Sequence, residues 1–155
     1  MRRTIIIILF VVSTSAFSQS RFSKNELSIN GFRNPSVGLE YRHKQFSFHA
    51  GYYPTTFKSS ENTSFFKSGT TVWFLPVGKK GNPSSFYAGV NYLRGFNRDY
   101  KGKNAFGIET GFRWMVWKGL NLRIGAIGVA SSGESLKINP TPGISYSFFF
   151  QYNTL

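Results

Sequence analysis

Residues 143–152, GISYSFFFQY, decide how this chain reads. Ile144, Tyr146, Phe148, Phe150 and Tyr152 share one parity; Ser145, Ser147, Phe149, Gln151 and Asn153 share the other. Successive side chains of a strand point to opposite faces, so the segment has one continuous apolar, aromatic face and one mostly polar face. Such a face either joins the core of a soluble sheet or meets lipid. The rest of the chain separates these alternatives.

The amino terminus reads as an export signal. Arg2 and Arg3 precede the unbroken apolar run Ile5 to Val12, and Ser13 to Ser18 supply small residues for cleavage after Ser18. The run is shorter than the roughly 20 residues of a spanning helix. Residues 1–18 are therefore expected to be a signal peptide and 19–155 a single barrel domain. The chain has no cysteine, so an exported form has no disulfide, thiolate metal site or lipidated cysteine. The formal net charge is +13, and loss of Arg2 and Arg3 takes two from it. A basic surface of that size suits anionic lipid or polyanionic sugar, and export argues against nucleic acid.

After the signal, apolar residues recur at period two between clusters of Gly, Pro, Asn and Ser, without convincing helical spacing. About eight strands follow: Asn25–Gly31, Ser36–Arg42, Phe46–Tyr53, Thr63–Phe74, Ser85–Leu93, Asn104–Met115, Leu120–Val129 and the opening segment. The facing of the fourth and fifth is ambiguous. Pro54 to Asn62, Arg94 to Lys103 and Ala130 to Pro142 read as long polar loops, against tight turns at His43 to Gln45 and Val116 to Gly119. Short turns at one end and longer loops at the other are the asymmetry of a transmembrane barrel. The aromatic residues Tyr41, Trp73, Trp114, Trp117 and Tyr152 fall where even-numbered strands finish, as one rim of an aromatic girdle. Tyr52, Tyr53, Phe57, Phe65, Tyr92, Phe96, Tyr100 and Phe106 fall at the other. The fold class expected is all-β: an antiparallel up-and-down transmembrane β-barrel of about eight strands.

With the aromatic parity outward, the inward set carries Glu26, Glu40, Arg42, His49, Glu109, Arg113, Arg123 and Gln151, joined by Lys67 if the fourth strand keeps register. An eight-stranded barrel is just wide enough for side chains to fill it, and buried charges must pair. The expectation is a lumenal charge network, not an open pore. Two histidines, His43 and His49, without carboxylates at motif spacing make no metal site, and PVGKKGNP lacks the phosphate-loop spacing. Neither cofactor nor metal is expected. The loop Arg94 to Asn104 carries Arg94, Arg98, Lys101 and Lys103, which suit the phosphates of lipopolysaccharide by charge-assisted bonds.

The signal to Ser18, the alternating strands, the Trp114/Trp117 rim and the aromatic strand Ile144 to Tyr152 resemble the small eight-stranded outer-membrane β-barrel proteins of Gram-negative bacteria. The resemblance is one of pattern and covers the whole mature chain. It implies residence in the cell outer membrane and reading of the carboxy-terminal strand by the barrel-assembly machinery. The leading expectation is a non-enzymatic barrel with a structural or surface-interaction role. An alternative is a lipid A-modifying enzyme: some small barrels are lipid A deacylases using His, Ser and Glu. Here Ser47, His49 and Glu61 are the residues for those roles, in reversed Ser-x-His order. A third is a soluble exported barrel holding an apolar ligand, disfavoured by an inward parity rich in Gly, Ser and charge.

Overall fold

A computed structural model describes residues 22–33, 35–58, 61–78 and 82–150. The signal segment and Tyr152 lie outside the described residues. The strands are β1 Asn25–Gly31, β2 Val37–His43, β3 Phe46–Lys58, β4 Glu61–Val77, β5 Ser84–Gly95, β6 Asn104–Trp117, β7 Leu120–Ser131, β8 Lys137–Pro140 and β9 Gly143–Phe150. A single 3-10 turn, Arg98–Tyr100, lies between β5 and β6. Neighbours in sequence pair antiparallel, and β1 pairs with β9, so the sheet closes on itself. β8 and β9 are two pieces of one eighth strand. β8 pairs with Ala126–Val129 of β7 and β9 with Leu120–Arg123. Pro140 and Pro142 have no N–H to give the ladder, and at the break only Thr141 N donates to Gly125 O, at 2.8 Å. The result is a closed eight-stranded antiparallel up-and-down barrel.

Alternation sorts the side chains as period two requires. In β5 the ambiguity resolves: Ser85, Tyr87, Asn91 and Leu93 face in, while Phe86, Val90 and Tyr92 face out. β4 keeps register against β3 from Asn62 to Val72, so Lys67, Thr71 and Trp73 point inward. Its irregularity falls later, between Phe74 and Val77, beside Leu75 at φ 47 and Pro76.

Three expectations are corrected. The polar stretch Pro54 to Asn62 is no long loop: β3 and β4 continue as a ladder to Lys58↔Glu61, and Thr56 Oγ1 donates across it to Asn62 Oδ1 at 2.8 Å. Threonine suits a pleated ladder as well as it suits a loop. The stretch Ala130 to Pro142 contains β8. The aromatics also divide. Tyr52, Phe96 and Phe106 are exposed, but Tyr53, Phe65 and Tyr100 are buried inside with Leu93, Ala105, Ile127 and Val129.

Paired glycines shape the interior. Gly111 and Gly125 face each other across β6 and β7, and a Cβ on either lies 2.6–2.7 Å from the Tyr87 hydroxyl. Gly38 and Gly51 face each other across β2 and β3, where added Cβ atoms meet the Pro35 ring at 2.5 and 2.8 Å. Each pair forms a slot that admits a ring from elsewhere in the barrel.

Candidate functional site

The lumen is built from strand-borne charges whose partners come from other strands. Glu26 of β1 accepts from Arg42 of β2, through Nε at 3.0 Å and through Nη2, and from Arg113 Nη1 of β6 at 2.7 Å. Ser28 Oγ adds a bond to the same carboxylate at 3.1 Å. Glu40 of β2 pairs with Arg123 Nη2 of β7 at 2.6 Å and accepts from Ser47 Oγ at 2.6 Å. Lys67 Nζ of β4 meets Glu109 Oε2 of β6 at 2.5 Å. His49 Nε2 lies 2.7 Å from Asn91 Oδ1. Glu26, Glu40, Arg42, His49, Lys67, Glu109, Arg113 and Arg123 are all buried, so the structure brings these inward residues together, while Gln151 lies outside the described residues.

Trp73 is a correction. Its position at a strand end reads as a rim residue, yet it is fully buried. Its ring lies under three guanidiniums, Arg113 at 4.4 Å, Arg123 at 5.1 Å and Arg42 at 5.9 Å, and Nε1 donates to Ser47 Oγ at 2.8 Å. The physical reason lies in charge. Arg42, Lys67, Arg113 and Arg123 are four lumenal cations against the carboxylates Glu26, Glu40 and Glu109 among the described residues. An aromatic face attracts the surplus cation without adding an anion. Arg113 Nε and Nη2 donate no hydrogen bond and face this ring system. Tyr41, Trp114 and Trp117 do lie outward, all at least half exposed.

Rings cover the network at both ends. Phe22, just before β1, packs with Trp73 and Tyr87 and sits 4.7 Å from the Arg42 guanidinium. Toward the other rim, Phe65, Phe57 and Tyr100 stack edge to face or tilted at 5.2–6.0 Å. Tyr100 comes from the basic loop, so that loop is anchored in the barrel mouth. Burial first, then the nearby Glu134 and Asp99 carboxylates, push its phenol above the ordinary tyrosine range. Arg94, expected in the loop, belongs to β5 and donates to Asn104 Oδ1 at 2.6 Å, and Lys103 of the loop pairs with Glu134 at 2.9 Å. Arg98 and Lys101 are exposed.

Ser47 and His49 lie inside on one strand, but with different partners. The Ser47 hydroxyl is engaged by Glu40 and Trp73, and the His49 ring faces Asn91 and, at 3.5 Å, Thr71 Oγ1. The side chain of Glu61 lies outside the described residues. Among the described residues, no group of three or more His, Asp or Glu could hold a metal ion.

Fold and lumen together define the class: a closed eight-stranded barrel, ionised inside and apolar outside. Comparison with protein-family models, with curated proteins and with solved structures finds no match to this chain.

Alternation alone did not reveal the lumenal places of Trp73, Tyr87 and Phe22. For Trp73 and Tyr87 the signal was present, since each shares parity with an inward polar residue, Thr71 and Asn91. Phe22 precedes the first strand, so no alternation places it.

Proposed function

We propose that the protein is an integral outer-membrane β-barrel with a non-enzymatic structural or surface-interaction role, its interior closed by its own charged side chains. The observation that carries this is the inverted placement of polarity. Large apolar side chains are exposed on every long strand, among them Leu39, Phe48, Val90, Ile124 and, at 73 and 74%, Ile108 and Ile138. Glu26, Glu40, Arg42, Lys67, Glu109, Arg113 and Arg123, the charged residues of the inward parity, are buried. In water this arrangement exposes far more contiguous apolar surface than a soluble monomer carries. In a bilayer it is the required one, because a closed barrel satisfies every backbone group and alternates apolar-out with polar-in.

Tyr41, Trp114 and Trp117 then serve as interfacial anchors, and Arg94, Arg98, Lys101 and Lys103 as contacts to lipopolysaccharide phosphate. Cleavage after Ser18 and reading of the last strand by the assembly machinery complete the proposal. The paired lumen and the rings at its two ends argue against a wide aqueous channel. The test is fractionation with a gel of boiled and unboiled samples, followed by planar-bilayer recording. Outer-membrane recovery with heat-modifiable mobility is expected. A soluble protein of unchanged mobility refutes the membrane reading, and stable conductance steps of a wide pore refute the closed lumen.

A further inference from the structure

The lumenal ions fall into two groups. Lys67 and Glu109 form a pair of their own, one to one, at 2.5 Å. The others gather round Trp73, with the Arg113, Arg123 and Arg42 guanidiniums 4.4, 5.1 and 5.9 Å from its ring. Two carboxylates serve these three cations among the described residues: Glu26 meets Arg42 and Arg113, and Glu40 meets Arg123. A guanidinium does not give up its proton in a protein. The arginine cluster therefore carries one positive charge more than its carboxylates balance, and all five side chains are buried.

The hydrogen bonds place that surplus on Arg113. Glu26 turns Oε2 to Arg42 and Oε1 to Arg113 Nη1, the latter at 2.7 Å. Arg113 Nε and Nη2 have no hydrogen-bond partner among the described residues, although the side chain is fully buried. Ser85 is the Cα partner of Arg113 across β5 and β6, on the same inward face. Directly opposed residues of an antiparallel pair hold their Cβ atoms about 4.5–5.5 Å apart. The Ser85 hydroxyl is fully buried and also without a partner among the described residues. Two nitrogens and a hydroxyl on one stretch of wall thus have protons to donate and no acceptor.

The Trp73 ring attracts the cations but leaves the count of charges unchanged. A water molecule would accept from the free donors and also leave the count unchanged. A monovalent anion does both. A halide suits the site because it accepts from several donors without directional demand and takes little more room than a water. A dianion such as sulfate would overshoot a surplus of one.

We infer that the lumen holds one buried chloride between Arg113 Nε, Arg113 Nη2 and the Ser85 hydroxyl, as the counter-ion of the arginine cluster. Phe22 packs against Trp73 and Tyr87 and lies 4.7 Å from the Arg42 guanidinium, so the ion is enclosed as the barrel folds. The inference rests on the closed lumen and not on what the outer face meets.

The experiment is urea unfolding of the refolded barrel, followed by tryptophan fluorescence, with sodium gluconate replaced stepwise by sodium chloride at constant ionic strength. Above the dissociation constant, each tenfold rise in chloride should raise the folding equilibrium constant about tenfold, the signature of one ion bound to the folded state alone. Arg113→Met should abolish this dependence. Ser85→Ala, which loses one charge-assisted bond, should raise the chloride needed by about tenfold. Lys103→Ala, at the barrel mouth, should leave the dependence as it is. Crystals of protein refolded in bromide should show one anomalous peak beside Arg113 and Ser85. Stability independent of chloride, a dependence that Arg113→Met leaves intact or Lys103→Ala removes, or a water beside Arg113 in the bromide crystals overturns the inference. A bromide peak there without chloride dependence marks an adventitious ion only and overturns it too. If Arg113→Met does not refold, Ser85→Ala carries the test, and an unshifted chloride response in that variant overturns the inference.

Discussion

Glu26 is the carboxylate on which the lumen turns, and Glu26→Gln tests the network most directly. The side chain is 1% exposed and accepts from Arg42, Arg113 and Ser28 together. Glutamine keeps the size but removes the charge, and its amide presents donors to groups that are themselves donors. Arg42, Lys67, Arg113 and Arg123 would then face Glu40 and Glu109 alone among the described lumenal residues. Breaking a buried pair by removing one partner costs about 3–5 kcal/mol, because the orphaned charge stays buried. Removing a cation instead should cost much less: Arg113→Met leaves Glu26 with Arg42, one to one. The double variant Glu26→Gln/Arg113→Met should therefore be more stable than the two single losses added together, by about 1–3 kcal/mol. The assay is urea unfolding in phospholipid vesicles followed by tryptophan fluorescence, which Trp73 inside the network should report. A loss below about 1 kcal/mol for Glu26→Gln, or strict additivity in the cycle, would refute the argument that one carboxylate restrains two arginines.

Three further outcomes are expected. Phe148 faces outward with the Tyr146 ring 5.1 Å away, so Phe148→Arg should cost about 2–4 kcal/mol near a bilayer midplane; unchanged stability in vesicles would mean that face meets water. Ser147→Arg is no neutral control, because Ser147 Oγ is held 2.8 Å from Ser28 Oγ and 3.0 Å from Asn121 Nδ2. Gly125→Ala places a Cβ 2.4 Å from Thr110 O and 2.7 Å from the Tyr87 hydroxyl, so it should lose about 1–3 kcal/mol. Tyr87→Phe should rescue only part of that loss, since the backbone clash remains; full rescue in the same unfolding assay would contradict the slot. Lys103→Ala breaks a pair that is partly exposed on both sides and should change stability by less than about 1 kcal/mol; a larger loss would give the Glu134 contact a structural weight the geometry does not assign.

Facing was legible wherever alternation was unbroken. In β9 the parity of Ile144, Tyr146 and Phe148 against Ser145 and Ser147 becomes exposed against buried, residue for residue. The same rule places Glu26, Glu40, Arg42, Glu109, Arg113 and Arg123 inside. It failed at strand ends, where composition misled. Threonines near Pro54 read as loop but extend β3 and β4, and the Pro-rich stretch before Gly143 read as loop but holds β8. Trp73 misled for another reason: its place along the strand suggested a rim, while its parity already pointed inward.

By itself, the sequence determined the class of structure and the two faces of every strand but the fourth and fifth, because period-two patterning is local and survives without knowledge of the neighbours. Only the tertiary structure decided which charge meets which. The pairing of Glu26 with Arg113, 87 positions away, depends on register and stagger summed around a closed barrel. So do the placement of Trp73 beneath three guanidiniums and the glycine slots for Tyr87 and Pro35. Each is a contact between strands remote in sequence, and closure of the sheet brings them together.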